Sequence, residues 1–426
     1  MKSSRSILPT AVALLAAAAL PSSASAGSWS AERPATNAGT AFGPTVAADA
    51  RGRIAVGWVR QLRGARRAEV RRGTLRGFLR GPALVLDSTT GNLDGVTVAL
   101  SGDTSLLAVA WRRRLDAAQR LRGATVSLSG TVVGPAALTA EGSESAYFPR
   151  WVAGGDGPPR LIWDRRTSSA GRALRGTGFG APFALPGRGV SSAPAIAVEP
   201  SGTVVAVWTQ GGRVLTASAP PGAAFGPTTV LSAAGYARQV QAVATDDGDV
   251  VAAWLSSSGE GNAILAAARP QGGDFSATVA LAGHEERAFA PRLAATSAGE
   301  VLVAYLSTAT NRGWGSARGV VRLRRLGGTE QPVGGRIRLS PDGVRAIEPA
   351  LAHDGIGSAL AAWTDSARGR SAVQAKRIAP GGITGPLRTL SRAPADSAAA
   401  PALAGANGQG VAAWLRGEDV RYSVYR

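Results

Sequence analysis

The sequence has no cysteine, two histidines, one methionine and only two lysines, Lys2 and Lys376. Without cysteine there is no disulfide, no thiolate metal ligand and no thiol nucleophile. The histidines, His284 and His353, are too few for a multi-histidine metal centre, and each stands beside one carboxylate, Glu285 or Asp354. Exposed side chains show such pairings without any ligand, so no metal site and no catalytic triad follows. Asp246, Asp247 and Asp249 around Gly248 lack the spacing of a twelve-residue calcium loop and read as a polar turn. No Gly-Lys-Ser/Thr phosphate loop is present. No cofactor is expected. Beyond residue 26 no apolar run approaches the roughly 20 residues of a membrane-spanning helix. Charged residues make up 18 % and apolar residues 45 % of the 426, which excludes a disordered polyelectrolyte.

What the chain has in abundance is punctuation. Its 56 glycines and 25 prolines amount to about 19 % of the residues, against roughly 12 % in ordinary usage. That density suits short strands and turns and argues against long helices. Residues 1–26 read as a secretory signal. Lys2 and Arg5 precede a short apolar stretch from Ile7 to Leu20, Pro21 breaks it, and Ala24-Ser25-Ala26 offers a small-residue cleavage site. The remainder, 27–426, is expected as a secreted or extracytoplasmic monomer (cell surface or periplasm), with no membrane span once the signal is removed.

An internal repeat organises that remainder. Short apolar runs end in an aromatic at Trp58, Trp111, Trp163, Trp208, Trp254, Tyr305, Trp363 and Trp414, spaced by 45 to 58 residues. Val204-Val205-Ala206-Val207-Trp208 is typical: it is apolar without polar alternation, as a strand buried on both faces must be. Before each run lies a second apolar segment, often opened by Pro, and a polar turn with Gly. After it come two further strand-like stretches. Four short strands at a period near 50 match the blade of a β-propeller, a ring of small sheets stacked about an axis. Tandem sandwich domains need about 100 residues per unit. The last copy stops after its third strand, at Asp419–Tyr425, while Ser28–Pro34 resembles an orphan fourth strand. The expectation is an all-β, single propeller of eight four-stranded blades, or seven if one copy is an insertion. The N-terminal strand completes the final blade and removes two exposed edges.

These residues resemble the repeats of secreted bacterial β-propellers, and the resemblance covers essentially all of 27–426. Finer matches are loose. Ile162-Trp163-Asp164 is a single WD-like pair. Thr245-Asp246-Asp247-Gly248 begins like a sialidase Asp-box, but Trp254 lies too far from the glycine, and the Arg-Ile-Pro signature of sialidases is absent. The catalytic residues of those enzymes therefore do not carry over.

The net charge is +19, and removing Lys2 and Arg5 leaves +17, nearly all of it arginine. Arg60, Arg63, Arg66, Arg67, Arg71, Arg72, Arg76 and Arg80 crowd one copy. Arg112, Arg113, Arg114, Arg120 and Arg122 follow in the next, and Arg318, Arg322, Arg324, Arg325, Arg336 and Arg338 form a second group. One reading is codon composition; the other is an anionic partner drawn by the field. For an exported chain, the partner expected is an anionic polysaccharide, a cell-wall polymer or another protein, and nucleic acid is set aside.

Propellers bind at a mouth of their channel. If the Pro-led strand is innermost, the segments leading into it bring Glu144, Tyr147, Arg150, Tyr236, Arg238, Phe289, Arg292 and Glu348 to one mouth. Aromatic faces stack on sugars and arginine forks bind carboxylates. The function expected is non-catalytic binding or scaffolding. The alternative is a sialidase-like or other glycan-cleaving enzyme, which would need two carboxylates such as Glu144 and Glu348 facing one another.

Overall fold

The computed structural model describes residues 27–426 except 37–38, 103, 116, 141–144, 155–156, 166–167, 186–193, 234, 298, 309–318, 328–330, 343–344, 368–369 and 392–397. The expected signal segment, 1–26, and Glu144 therefore lie outside the described residues. Eight four-stranded antiparallel sheets follow one another as blades 1 to 7, at 40–89, 93–137, 147–185, 195–230, 236–282, 289–338 and 345–389, and blade 8, at 398–425. The first strand of each blade lies against the first strand of the next, and that of blade 8 returns to blade 1, so these strands wall a central channel. Among the described residues, no helix is long and apolar enough to cross a membrane.

The second strand of every blade explains the ring. Its unbroken apolar run is buried on both faces and closes at the repeat aromatic, past which the strand continues for one to four residues. Seven of these aromatics are fully buried, and Trp208 is 3 % exposed. One hydrophobic cluster fills each of the eight seams between blades. No blade hides its own faces; each is covered by two neighbours.

Closure joins the two ends of the ring. Arg33–Pro34 pairs with Asp419–Tyr425 as the fourth strand of blade 8. Ser28 N donates to Arg426 O at 2.7 Å, and the buried Glu32 carboxylate meets Arg416 at 3.0 Å and Arg421 at 3.8 Å. Eight blades are present, and the seven-blade alternative falls away.

The sequence reading needs one correction, at the prolines. In most blades the proline does not open the innermost strand; it sits inside it, at a β-bulge. Seven of the eight innermost strands shift register, at Phe42/Thr45, Asp94/Thr97, Tyr147/Arg150, Arg238/Gln241, Phe289/Arg292, Ile347/Ala350 and Ala399/Ala402. The next residue in each is left-handed: Gly43, Gly95, Phe148, Gln239, Ala290, Glu348 or Ala400, with φ between 48° and 61°. Proline follows in five of them. A bulge leaves one backbone group outside the ladder, and proline has no N–H to leave unpaired.

Past the bulge, all eight blades come into one register. The residue before each repeat aromatic pairs with Thr45, Thr97, Arg150, Ala195, Gln241, Arg292, Ala350 or Ala402 in turn. These eight residues form one level of the channel wall.

Candidate functional site: the arginine-lined channel mouth

The innermost strands begin on the face where the second strand of each blade turns into the third. On that face a cavity of about 740 Å³ opens among blades 3, 5, 6 and 7. Arg150, Arg238, Arg292 and Arg345 line it, together with Phe148, Phe289, Gln239, Gln241 and Glu348. Of the residues expected at the mouth, the fold brings Arg150, Arg238, Phe289, Arg292 and Glu348 into this one space. Tyr147 and Tyr236 stand beside it rather than in its wall: the Tyr147 ring lies 6.4 Å from that of Phe148, and the Arg238 guanidinium lies 5.3 Å from the Tyr236 ring. Arg345 and Gln241 escaped the sequence reading. Aligning the blades on their aromatics, rather than on their prolines, places Gln241 at once; Arg345, at the first residue of its strand, carries no such marker.

Exposed aromatics mark the same place. Among the described residues, the exposed aromatic side chains are Tyr147, Phe148 and Tyr236, at 36 %, 64 % and 62 %, and all three are at this mouth. Phe148 is also left-handed, where blades 1 and 2 use glycine. A bulky side chain in that region is uncommon and strained.

The electrostatics are one-sided. Glu348 is the cavity's one acid among the described lining residues, and its Oε2 accepts from Ala400 N–H at 2.7 Å and from Thr364 Oγ1 at 3.0 Å. Gln239 does the same one pair of blades earlier, its Oε1 accepting from Ala290 N–H at 2.9 Å. In both cases a left-handed residue ties down the left-handed residue of the next blade. Glu348 is thus a fastener of the bulges, a role that no sequence pattern marks.

The arginines have fewer carboxylates. Arg238 donates to Ser257 Oγ at 3.4 Å and Arg292 to the carbonyl of Pro291 at 3.0 Å. Among the described residues none of Arg238, Arg292 and Arg345 is ion-paired. Arg150 and Arg292 keep some surface toward the channel, but protein surrounds them on nearly every side, and that enclosure governs their charge. It pushes Arg150 down to about 10 and Arg292 below its ordinary range. Asp164 opposes the shift of Arg150, and Arg292, a like charge, adds to it. Asp164 itself is 3 % exposed, accepts from Ser169 Oγ at 2.6 Å, and is pushed up to about 6, chiefly by burial.

Elsewhere most of the clustered arginines are committed to partners within or between blades. Arg60 pairs with Glu69 at 2.8 Å, Arg112 with Asp94 at 2.6 Å and Arg113 with Asp87 at 2.9 Å. Several reach carbonyls across seams: Arg71 to Ala35 at 3.1 Å, Arg72 to Leu128 at 3.1 Å, Arg172 to Leu138 at 2.8 Å and Arg325 to Gly381 at 2.7 Å. Arg322 and Arg336 meet the buried Glu286. Arg318 lies outside the described residues. Arg63, Arg76 and Arg80 remain exposed. The arginine clusters therefore present less open charge than their number suggests. His284 Nδ1 donates to Gly261 O at 3.1 Å, across to the start of a neighbouring strand, and His353 Nε2 accepts from Gly357 N–H at 3.2 Å within its own turn.

No protein-family model matches the sequence, and no relative is found among curated proteins. Solved structures do match. An ulvan lyase of polysaccharide lyase family 25, bound to -[GlcA(1-4)Rha3S]-, has a TM-score of 0.50 at 10 % identity, over 76 % of this chain and 90 % of its own. A prolyl endopeptidase has a TM-score of 0.50 at 14 % identity, over 88 % of this chain and 54 % of its own. The NanB sialidase of Streptococcus pneumoniae has a TM-score of 0.43 at 9 % identity, over 84 % of this chain and 69 % of its own. At such identities the likeness is one of fold, and the chain is a β-propeller.

Proposed function

We propose that the protein is an exported, non-catalytic binding propeller that holds an anionic glycan or cell-envelope polymer at its channel mouth. One observation carries this reading: four arginines and three exposed aromatics gather at a single cavity mouth whose one described acid is already engaged by backbone and hydroxyl donors. Guanidinium forks suit carboxylates, and flat aromatic faces suit the apolar faces of sugar rings. The glycan-cleaving alternative has less support. It needs two carboxylates flanking a bond, and Glu348 is tied to Ala400 and Thr364.

The test uses residues 27–426 against acidic polysaccharides and neutral counterparts of equal length. Binding to the acidic chains alone is expected, weakening steeply as salt rises, because exposed charges are screened. Equal binding to neutral chains, or retention indifferent to salt, would refute the anionic reading. New reducing ends or unsaturated uronates in the mixture would refute the non-catalytic one.

A further inference from the structure

We propose that the channel takes the end of an acidic polysaccharide chain, one terminal uronate carboxylate being held between the guanidinium groups of Arg150 and Arg292. The proposal rests on the anionic-glycan reading and names the part of the ligand that enters.

The register of the blades supplies the argument. At one level of the channel wall, the eight equivalent residues are Thr45, Thr97, Arg150, Ala195, Gln241, Arg292, Ala350 and Ala402. Six are uncharged, and five of those are Thr or Ala, with Ala195 packed into the seam between blades 4 and 5. The remaining two are arginines three blades apart, both lining the same cavity. Each guanidinium is enclosed, and the like charge of Arg292 bears on Arg150. Two cations facing one partly dehydrated space, with the buried Asp164 bearing only on Arg150, favour a further anion between them. A carboxylate is planar with two oxygens, and arginine's donor fork matches it.

Depth selects the chain end. Arg345 is the first residue of its strand, and Arg238 stands just before its bulge, whereas Arg150 and Arg292 lie past theirs. The cationic groups thus descend from the face into the bore. A polymer lying across the face meets Arg345 and Arg238 with internal carboxylates. The paired arginines below are met by a terminus that points inward. Tyr147, Phe148 and Tyr236 flank the opening it passes.

Isothermal titration of residues 27–426 with oligogalacturonates of defined lengths tests this directly. One protein per chain at every length is expected, with free galacturonate competing. Arg150→Gln and Arg292→Gln should each weaken binding by about ten- to hundredfold, the range for one lost charge-assisted hydrogen-bonding partner, while leaving circular dichroism unchanged. Protein bound in proportion to chain length would overturn end recognition, and this arm needs no variant. A double Arg150→Gln, Arg292→Gln variant that binds like the wild type, while Arg238→Gln and Arg345→Gln lose binding, would overturn the clamp and leave the anionic-glycan reading standing. Equal one-to-one binding of a sulfated, carboxylate-free oligosaccharide would overturn the choice of carboxylate. If no acidic glycan binds the wild type, both readings fall together.

Discussion

At the scale of single residues, the mouth is assembled from positions that strain the fold or hold charge against it. Phe148 keeps a left-handed backbone, at a cost of roughly 1–2 kcal/mol for a residue with a side chain. Glycine fills that position in blades 1 and 2. Phe148→Gly is therefore expected to raise the denaturant midpoint, by about 1 kcal/mol of stability, while weakening acidic-glycan binding. A loss of stability with binding intact would make Phe148 a packing residue. Asp164 gives a pH dependence. Its carboxyl in the fold titrates near 6, above its ordinary value of 3.8. The protonated form is thus the one the fold favours. Its contribution to stability is full below the unfolded value and is lost as pH rises through about 6. Above that point its charge competes with any anion for Arg150. Affinity for an acidic glycan should rise as pH falls from 8 to 5, with proton uptake on binding, and Asp164→Asn should flatten the profile. Titration in buffers of differing ionisation enthalpy reads both effects; affinity rising toward high pH would refute the coupling.

At the scale of the strand, the sequence was a good guide where one force dominates. The second strands were legible because burial on both faces admits only apolar residues, and an aromatic closes the apolar run of each one. The N-terminal strand was legible because the last copy lacked a partner. The innermost strands were misread at their prolines, since a bulge is a backbone event. Phe148, Gln239 and Glu348 adopt the same left-handed conformation as Gly43 and Gly95, and no shared residue type announces it. Five of the residues expected at the mouth, Arg150, Arg238, Phe289, Arg292 and Glu348, line one cavity because they lie at or beside that bulge, so an error of one or two positions still fell on the same face. The role of Glu348 stayed hidden: its partner N–H belongs to Ala400, in the next blade and 52 residues away. The arginine clusters misled for a similar reason, because carbonyl acceptors across a seam leave no trace in composition.

At the scale of the whole molecule, closure decides stability. The seam between blades 8 and 1 buries Ala35, Ile54, Val56 and Trp58 against Val411, Ala413, Val420 and Val424. The segment 27–36 supplies only the outermost strand there, yet it brings Glu32 to Arg416 and Arg421 and covers an open strand edge. Starting the chain at residue 37 should expose that edge and promote association through it. Size-exclusion chromatography is expected to show concentration-dependent oligomers, and calorimetry a lower, broader transition. A monomer melting like the longer chain would show that the latch is dispensable. The common register of the blades has a different consequence. Ladder pairing and the aromatic fix where each bore-facing side chain points, and the layers behind it do not depend on which side chain that is. All of those eight places but Ala195, which is packed into the seam between blades 4 and 5, keep some exposure, so substitution there changes what the pore attracts without emptying a seam, and ligand preference in this architecture is free to diverge while the scaffold stays the same.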